Sequence, residues 1–262
     1  MRFHLANVNN YQGAFLMRLK FSFLIALSLS LIFTSAVYAE NLPPLLRNVH
    51  RIVALGDSIT QFGDGPQGYV GIIRNTLQKL YPDQNFEVIN AGISGNKSNQ
   101  MLDRFQKDVI DQNPDMVTIS CGVNDVWHGF YDNHPKGDGP RGIPIPKYRA
   151  NIEKMISMAE VAHIRVVILS TTVIYEDPNS PENLKVKGYN AALEEIAKKR
   201  HLPFVNFQPV FWRILLPYRA TGATALLLTV DGVHMNNAGN QLMAYTILKG
   251  LGIQPDEWKN LH

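Results

Sequence analysis

The sequence predicts an α/β domain in which helices cover both faces of a parallel β-sheet. The first observation behind this class is an alternation of short apolar runs with segments of helical spacing. The second is that no internal repeat or low-complexity linker interrupts the alternation between residues 40 and 262. Because roughly 220 residues suffice for one substantial hydrophobic core, we expect residues 40–262 to form a single domain.

The predicted strands are short apolar runs that stop at turn-forming residues. They lie at 52–55, 86–90, 116–120, 165–170 and 203–206. The predicted helices repeat apolar residues every three or four positions, as Ile73, Leu77 and Leu80 do. They lie at 69–80, 101–112, 148–163, 184–200 and 236–250. A helix after each strand is the connection that parallel strands need.

Two segments, 126–147 and 172–183, fit neither pattern and are predicted loops. The first is rich in Gly and Pro and carries Trp127, His128 and Tyr131. Long loops in compact domains are usually either functional or disordered. The aromatic content favours the functional alternative, a packed rim over a site.

The first 39 residues are typical of a secretory signal peptide. A basic segment, 17–20, precedes the apolar run 21–36, and Val37-Tyr-Ala39 ends in a small residue before Glu40. The apolar run is shorter than the roughly 18 to 20 residues of a membrane-spanning helix. We therefore expect cleavage after Ala39, no stable membrane anchor afterwards, and a periplasmic or extracellular protein. Met17 is an alternative start, because residues before it do not resemble a signal.

Charge and cysteine content exclude several classes of protein. Three of the 25 Lys and Arg residues and none of the 22 Asp and Glu residues lie in 1–39, so the remainder is balanced. Without a basic surplus, we expect no nucleic-acid partner. Cys121 is the only cysteine, which rules out a disulfide within the chain and favours a buried, inert thiol.

Polar residues that follow the predicted strands form a candidate catalytic site. Ser58 comes directly after the first strand, where open α/β sheets bind ligands, although Asp57 or Ser58 could simply cap a helix. Asn124 follows the third strand and Gly95 the second; an amide NH₂ and an unobstructed backbone N–H can donate to developing negative charge. The alternative for both is an ordinary turn residue.

Near the end of the chain, Asp231 lies three residues before His234. A carboxylate at this spacing can reach the imidazole Nδ1–H, which leaves Nε2 to take a proton from a serine hydroxyl. The alternative interpretation makes Asp231 a helix cap and His234 a surface residue. The conjunction of nucleophile, base, orienting carboxylate and donors favours catalysis.

Four blocks in this order carry a resemblance to a known family: Gly56-Asp-Ser-Ile-Thr60, Gly95, Gly122-Val-Asn-Asp125 and Asp231-Gly-Val-His234. They resemble the conserved blocks of the SGNH hydrolases, also called the GDSL esterase/lipase family. Ile59 stands where the family name has leucine. The resemblance spans nearly all of residues 40–262.

The resemblance implies a flavodoxin-like three-layer α/β/α fold with sheet order 2-1-3-4-5, and a serine hydrolase of esters. By position, Ser58 is the nucleophile, His234 the general base and Asp231 its partner. The Ser58 backbone N–H, Gly95 and Asn124 would form the oxyanion hole. We expect no cofactor and no metal in such a mechanism.

Two other functions compete with this interpretation. Residues 63–68 match the glycine spacing of dinucleotide-binding proteins, with Glu87 about 20 residues on, but the glycines begin well past the strand and Pro66 lies among them. A non-catalytic carbohydrate-binding module on the same fold would lack a catalytic residue, and none is missing. His128 and His134 are interpreted as rim or surface residues.

The sequence leaves the ester open between two classes. The aromatic rim of Trp127, His128 and Tyr131 favours short-chain or acetyl esters, including O-acetylated carbohydrate, because aromatic rings stack on sugar faces. A lysophospholipase or thioesterase acting on lipid acyl groups is the alternative, for which 211–218 could supply an apolar patch. An amphipathic helix is the commoner source of such a pattern.

Overall fold

The computed structural model describes residues 42–258. The predicted signal peptide 1–39 and the alternative start at Met17 lie outside the described residues. Residues 42–47, which include the 3₁₀ turn Pro44–Leu46, belong to a first unit, and a second, compact unit begins at Asn48. Among the described residues, none of the helices combines the length and the apolarity required to cross a membrane.

Five parallel strands form the sheet of the compact unit. They are β1 (Arg51–Gly56), β2 (Glu87–Gly92), β3 (Met116–Ser120), β4 (Arg165–Leu169) and β5 (Phe204–Val205). Their order in the sheet is β2-β1-β3-β4-β5, so the predicted α/β class and strand order are confirmed. Every residue of β3 is buried, as expected for a central strand with helices on both faces.

Among the described residues, the compact unit contains the five predicted helices and four further ones. They are α1 (Ser58–Phe62), α2 (Tyr69–Leu80), α3 (Ser98–Asp108), α4 (Val123–Trp127), α5 (Ile145–Val161), α6 (Pro181–Arg200), α7 (Gln208–Ala220), α8 (Asn237–Gly250) and α9 (Pro255–Trp258). Helices α2 and α8 pack together, and α5 packs against both α3 and α6. The connection from β1 to β2 runs towards one edge of the sheet, whereas the later connections run towards the other edge. Right-handed crossovers therefore place these two groups of helices on opposite faces of the sheet.

The strand register brings the ends of the first three strands level. Gly56 of β1 lies opposite Gly92 of β2, and Leu55 of β1 lies opposite Ile119 of β3. The residues that follow these strands therefore emerge at one edge of the sheet. This is the crevice at which open parallel sheets bind ligands.

Several predicted helix boundaries are wrong, and for two of the helices a capping hydrogen bond explains the difference. The helix predicted at 101–112 begins at Ser98, since the Gln100 side chain accepts a hydrogen bond from the Lys97 backbone N–H (3.0 Å), and it ends at Asp108. The helix predicted at 184 begins at Pro181, where Ser180 caps it. The helix predicted at 148 begins at Ile145.

The predicted loop at 126–147 is also partly wrong. Helix α4 runs to Trp127, a 3₁₀ turn covers His128–Phe130, and α5 starts at Ile145. A five-residue helix is too short to show a helical period in its sequence. The segment 211–218 lies within α7, which buries Phe211 and Leu215 and exposes Leu216 on its other side.

Candidate active site

The end of β1 delivers Ser58 to the sheet edge as the first residue of α1. Asp57 is the helix cap, and its Oδ1 accepts a hydrogen bond from the Ile59 backbone N–H (3.0 Å). Of the two residues that could cap the helix, Asp57 and not Ser58 is therefore the cap. Because Asp57 satisfies the helix start, the Ser58 hydroxyl is free to contact another group.

That contact is with the loop before α8. His234 Nε2 lies 2.9 Å from Ser58 Oγ, and His234 Nδ1 lies 2.6 Å from Asp231 Oδ2. The Asp231 carboxylate also accepts the backbone N–H groups of Val233 (3.0 Å) and His234 (2.8 Å). The structure thus brings together the three side chains that sequence analysis selected.

The protonation of this chain of contacts follows from its donors and acceptors. A carboxylate oxygen can only accept, so the proton on the imidazole belongs on Nδ1, and neutral Nε2 accepts from the Ser58 hydroxyl. Partial burial acts to raise the pKa of Asp231, but the hydrogen bonds from the side chain and backbone of His234 outweigh it and hold the pKa below its usual value. Asp231 is therefore an anion at neutral pH.

Asn124 faces the same edge from α4, and Gly95 lies in the loop after β2. The Asn124 side chain is buried, with Nδ2 donating to the Asn96 carbonyl at 3.1 Å and lying 3.4 Å from Asp57 Oδ2. Gly95 has φ +76°, in the region that favours glycine, which is the reason for a glycine at this turn. A side chain there would meet no neighbour, so steric clearance is not the reason.

Two buried carboxyl groups lie beneath these residues and were not selected from the sequence. Burial, together with the nearby Asp125 carboxyl, raises the pKa of Asp57 to about 6 against the opposing hydrogen bond from the Ile59 backbone N–H. Burial likewise raises the pKa of Asp125 to about 6, although Ser98 donates to it from both hydroxyl (2.5 Å) and backbone. Clusters of perturbed carboxyls are common beside active sites.

The three residues predicted to form an aromatic rim, Trp127, His128 and Tyr131, are a cluster of contacting rings. The Trp127 ring lies 5.7 Å from that of Tyr131, and the His128 and Tyr131 rings are 4.9 Å apart. Sequence analysis missed Tyr175, whose hydroxyl accepts a hydrogen bond from Trp127 Nε1 (2.7 Å). The exposed Phe62 ring packs against the imidazole of His234, with the two ring centroids 5.3 Å apart.

The remaining sequence-selected residues lie in structural roles. His134 Nδ1 lies 3.6 Å from Asp138 Oδ1 in the loop before α5. Both side chains are exposed, which fits the predicted surface position of His134. Glu87 pairs with Arg51 at the opposite end of the sheet from Ser58. The Cys121 thiol is buried, which raises its pKa and agrees with the prediction of an unreactive thiol.

Residues 54–242 match the model of the GDSL-like lipase/acylhydrolase family. The chain belongs to this family. The resemblance inferred from the four sequence blocks is thereby confirmed, and the match covers more than half of the chain.

Characterised relatives of this GDSL family member are esterases. Acetylxylan esterase of Geobacillus stearothermophilus is 26% identical over 215 residues, which cover 78% of this chain and 94% of the relative. Isoamyl acetate-hydrolyzing esterase of Saccharomyces cerevisiae is 25% identical over 223 residues, covering 76% and 84%. Together with the family match, these relatives show that the chain is a carboxylic-ester hydrolase.

Solved structures agree with this assignment of the GDSL protein. The acetyl xylan esterase AlAXEase superposes with a TM-score of 0.68 at 26% identity, covering 76% of this chain and 98% of that one. The Geobacillus acetylxylan esterase Axe2 also gives 0.68, at 27% identity, covering 78% and 95%. Its catalytic mutants replace a serine, an aspartate and a histidine, with the aspartate three positions before the histidine.

Proposed function

We propose that the chain hydrolyses esters through an acyl-enzyme formed on Ser58. The observation that carries this proposal is the continuous line of contacts from Ser58 Oγ to His234 Nε2 (2.9 Å) and from His234 Nδ1 to Asp231 Oδ2 (2.6 Å). The same serine, aspartate and histidine types, with the same aspartate–histidine spacing, are the sites of catalytic mutants in the Geobacillus relative.

The proton movements follow from this arrangement. His234 takes the hydroxyl proton of Ser58 as its oxygen attacks the ester carbonyl, and Asp231 stabilises the imidazolium that forms. The imidazolium then protonates the departing alcohol, leaving Ser58 acylated. Water repeats the two steps, with its proton passing to His234 and then to Ser58 as the carboxylic acid departs.

The tetrahedral oxyanion needs donors that are already in place. We assign this task to the backbone N–H groups of Ser58 and Gly95 and to the Nδ2 of Asn124. As the first residue of α1, Ser58 has no partner for its N–H inside the helix. Asn124 Nδ2 donates to the Asn96 carbonyl at 3.1 Å, and its 3.4 Å separation from Asp57 Oδ2 is long for a hydrogen bond, so its second N–H is only weakly engaged.

For the substrate, we infer short acyl esters, with O-acetylated carbohydrate as the first class. The Trp127, Tyr131 and Tyr175 cluster offers flat apolar faces with hydroxyl groups at their edges, which suit stacking against sugar rings. Two of the relatives named above act on acetyl groups of xylan or on an acetate ester, as their names state.

A lipid acyl substrate is the second candidate, and one observation favours it. Phe62 is 64% exposed while in contact with His234, and Ile93, in the loop after β2, is 43% exposed. Exposed apolar side chains beside the reacting atoms would bind a longer acyl chain.

The first experiment measures hydrolysis of p-nitrophenyl acetate by the wild-type protein and by Ser58→Ala. We expect turnover by the first and none above background by the second, with unchanged circular dichroism. Activity retained in Ser58→Ala would overturn the mechanism.

A second experiment decides between the substrate classes. Rates on p-nitrophenyl esters of two, four, eight and twelve carbons should fall with acyl length, and acetylated xylan should release acetate. A rate that rises to the longest chains would replace the carbohydrate proposal with the lipid one.

We further propose that the protein is exported. The basic segment, the apolar run and the small residue Ala39 before Glu40, in that order, support export.

A further inference from the structure

Glu176 carries a fully buried carboxylate in the segment between β4 and α6. Its Oε1 accepts hydrogen bonds from the backbone N–H groups of Leu228 (2.8 Å) and Thr229 (2.7 Å) and from the Thr229 hydroxyl (2.7 Å). Its Oε2 accepts from the Leu227 N–H (2.9 Å) and from Arg219 Nη2 (3.2 Å). A buried charge is tolerated only when it is paired and hydrogen-bonded in this way.

These contacts lead directly to the loop that holds His234. The Thr229 hydroxyl, which donates to Glu176, accepts a hydrogen bond from the Gly232 N–H (3.2 Å). Thr229 also pairs with Met235 in an isolated antiparallel bridge, so 229–235 is a closed loop. Asp231 and His234 lie inside this loop, and Glu176 holds its base.

The residue before Glu176 holds the other side of the same loop. The Tyr175 backbone N–H donates to the Gly232 carbonyl (2.7 Å), and the Tyr175 hydroxyl accepts from Trp127 Nε1 (2.7 Å). Tyr175 (φ +65°) and Glu176 (φ +51°) both have left-handed backbone conformations. Residues with side chains adopt this conformation only where surrounding contacts enforce it, and such strain is often found at functional sites.

We propose that Glu176 is a positioning residue for ester hydrolysis. Its carboxylate fixes the 229–235 loop against the Tyr175 turn and thereby sets the position of His234 Nε2 relative to Ser58 Oγ. This inference rests on the proposed roles of Ser58 and His234. A carboxylate that only stabilised the fold would affect unfolding and leave the turnover of the folded enzyme unchanged.

The most selective test changes Thr229, the residue through which Glu176 acts. Thr229→Val keeps the shape of the side chain but removes the hydroxyl that links Glu176 to Gly232, whereas Thr229→Ser keeps the hydroxyl. Because misplacing a catalytic group by about 1 Å costs up to about 100-fold in rate, we expect Thr229→Val to lower kcat for p-nitrophenyl acetate by about 10- to 100-fold. Thr229→Ser should restore most of the wild-type kcat, and KM should change little in either variant.

Glu176→Gln tests the carboxylate itself against a matched control. The glutamine NH₂ would replace one of the two carboxylate oxygens and would then face groups that are themselves donors. We therefore expect kcat to fall as in Thr229→Val. Asp115→Asn is the control, because the Asp115 carboxylate also accepts two backbone N–H groups, from His50 (2.7 Å) and Arg51 (2.9 Å), at the opposite end of the sheet. This variant should lose stability without losing kcat.

A second measurement probes the Ser58–His234 pair with a covalent label, which does not need to contact the aromatic cluster. The rate at which a fluorophosphonate labels Ser58 should fall in Glu176→Gln and Thr229→Val and stay unchanged in Asp115→Asn. The double variant should be less impaired than the product of the two single effects, since both interrupt one line of contacts.

The outcomes separate this inference from the proposed function. Wild-type kcat in folded Thr229→Val, or equal loss of kcat in Glu176→Gln and Asp115→Asn, would overturn the role of Glu176 alone. Undiminished activity of Ser58→Ala would overturn the mechanism on which it rests. If Glu176→Gln does not fold, the comparison of Thr229→Val with Thr229→Ser decides the question.

Discussion

At the scale of single residues, the candidate site places hydrogen-bonding groups beside carboxyl groups whose burial costs free energy. Asp57 caps α1 through Ile59 and lies beside the Asn124 amide, yet it is buried near a second carboxyl, Asp125. An apolar residue at position 57 would remove the burial penalty and leave the first turn of α1 without its cap. The arrangement therefore trades stability for the placement of Ser58 and Asn124.

Asn124→Ala tests the oxyanion donor. Removing one such donor typically lowers kcat by about 10² to 10³, because its hydrogen bond strengthens only in the transition state. We expect a loss of this size for p-nitrophenyl acetate with KM little changed. A variant with a normal kcat, shown to be folded by circular dichroism, would remove Asn124 from the mechanism.

Asp57→Asn tests the cost of the buried carboxyl through the pH dependence of stability. With a native pKa of about 6, against 3.8 for the unperturbed group, native Asp57 holds its proton more tightly than the unfolded chain does. Stability is therefore lost as pH rises from about 4 to about 6 and stays lower above that range. The raised pKa corresponds to a loss of about 3 kcal/mol in the free energy of unfolding at neutral pH. Asp57→Asn removes this loss, because an asparagine side chain does not titrate.

Urea unfolding at pH 4 and pH 7 measures this effect. The stability of Asp57→Asn relative to wild type should rise between the two pH values. Asp115→Asn supplies a control of opposite sign: burial acts to raise the pKa of Asp115, but hydrogen bonds from Arg51 and His50 outweigh it and lower the pKa. Its stabilisation is present above the unfolded pKa and is lost as pH falls. A pH-independent difference for Asp57→Asn would contradict the assignment.

Some residues of the candidate site could be selected from the sequence, and others could not. Ser58, Asp231 and His234 were selected because chemistry restricts the residue types and the aspartate–histidine spacing is local. Glu176 had no such signal, since its backbone partners lie 51 to 53 positions away. Tyr175 was missed for the same reason, because its contacts with Trp127 and Gly232 exist only in the folded chain.

At the scale of elements, the long periodic segments were predictable and the short ones were not. The helix predicted at 69–80 coincides with α2, and the strand predicted at 116–120 coincides with β3. Helix α4 carries Asn124 into the site but has only five residues, and it follows a turn that the sequence marks by nothing more than Gly122. Helix starts were displaced where a side chain, such as that of Ser180, supplied the cap.

Gly122→Ala tests the turn between β3 and α4. Gly122 has φ +130°, and an added Cβ would lie 2.5 Å from Thr171 Cγ2 and 3.0 Å from Tyr148 Oη. We expect a loss of about 1–3 kcal/mol in the free energy of unfolding from backbone strain alone. The turnover number kcat should also fall, because relieving the overlap moves α4 and Asn124.

Gly222→Ala is the matched control, since Gly222 also has positive φ (+82°) but no atom within 4 Å of an added Cβ. It should cost about 1 kcal/mol of stability and leave kcat unchanged. Thermal unfolding and p-nitrophenyl acetate kinetics on both variants measure the two effects. Equal kcat in the two variants would show that the turn does not set the position of Asn124.

At the scale of the whole molecule, the strand order explains how distant segments form one site. With β1 between β2 and β3, the residues after all three strands share one edge, and the loop before α8 closes over it. The alternation of strands and helices predicted a parallel sheet, whereas the order came from the family resemblance. Local patterns do not contain the order, because it depends on the direction in which each crossover packs.

Export is the last prediction, and it concerns the whole chain. If residues 1–39 are removed, the protein loses three basic and no acidic side chains, so its isoelectric point should fall well below the 8.9 of the full sequence. N-terminal sequencing of protein recovered from outside the cytoplasm should begin near Glu40. Leu27→Arg places a charge in the middle of the apolar run and should keep the protein uncleaved inside the cell. Full-length protein with an intact Met1 or Met17 in the exported fraction would contradict cleavage, and unchanged export of Leu27→Arg would show that this segment does not direct it.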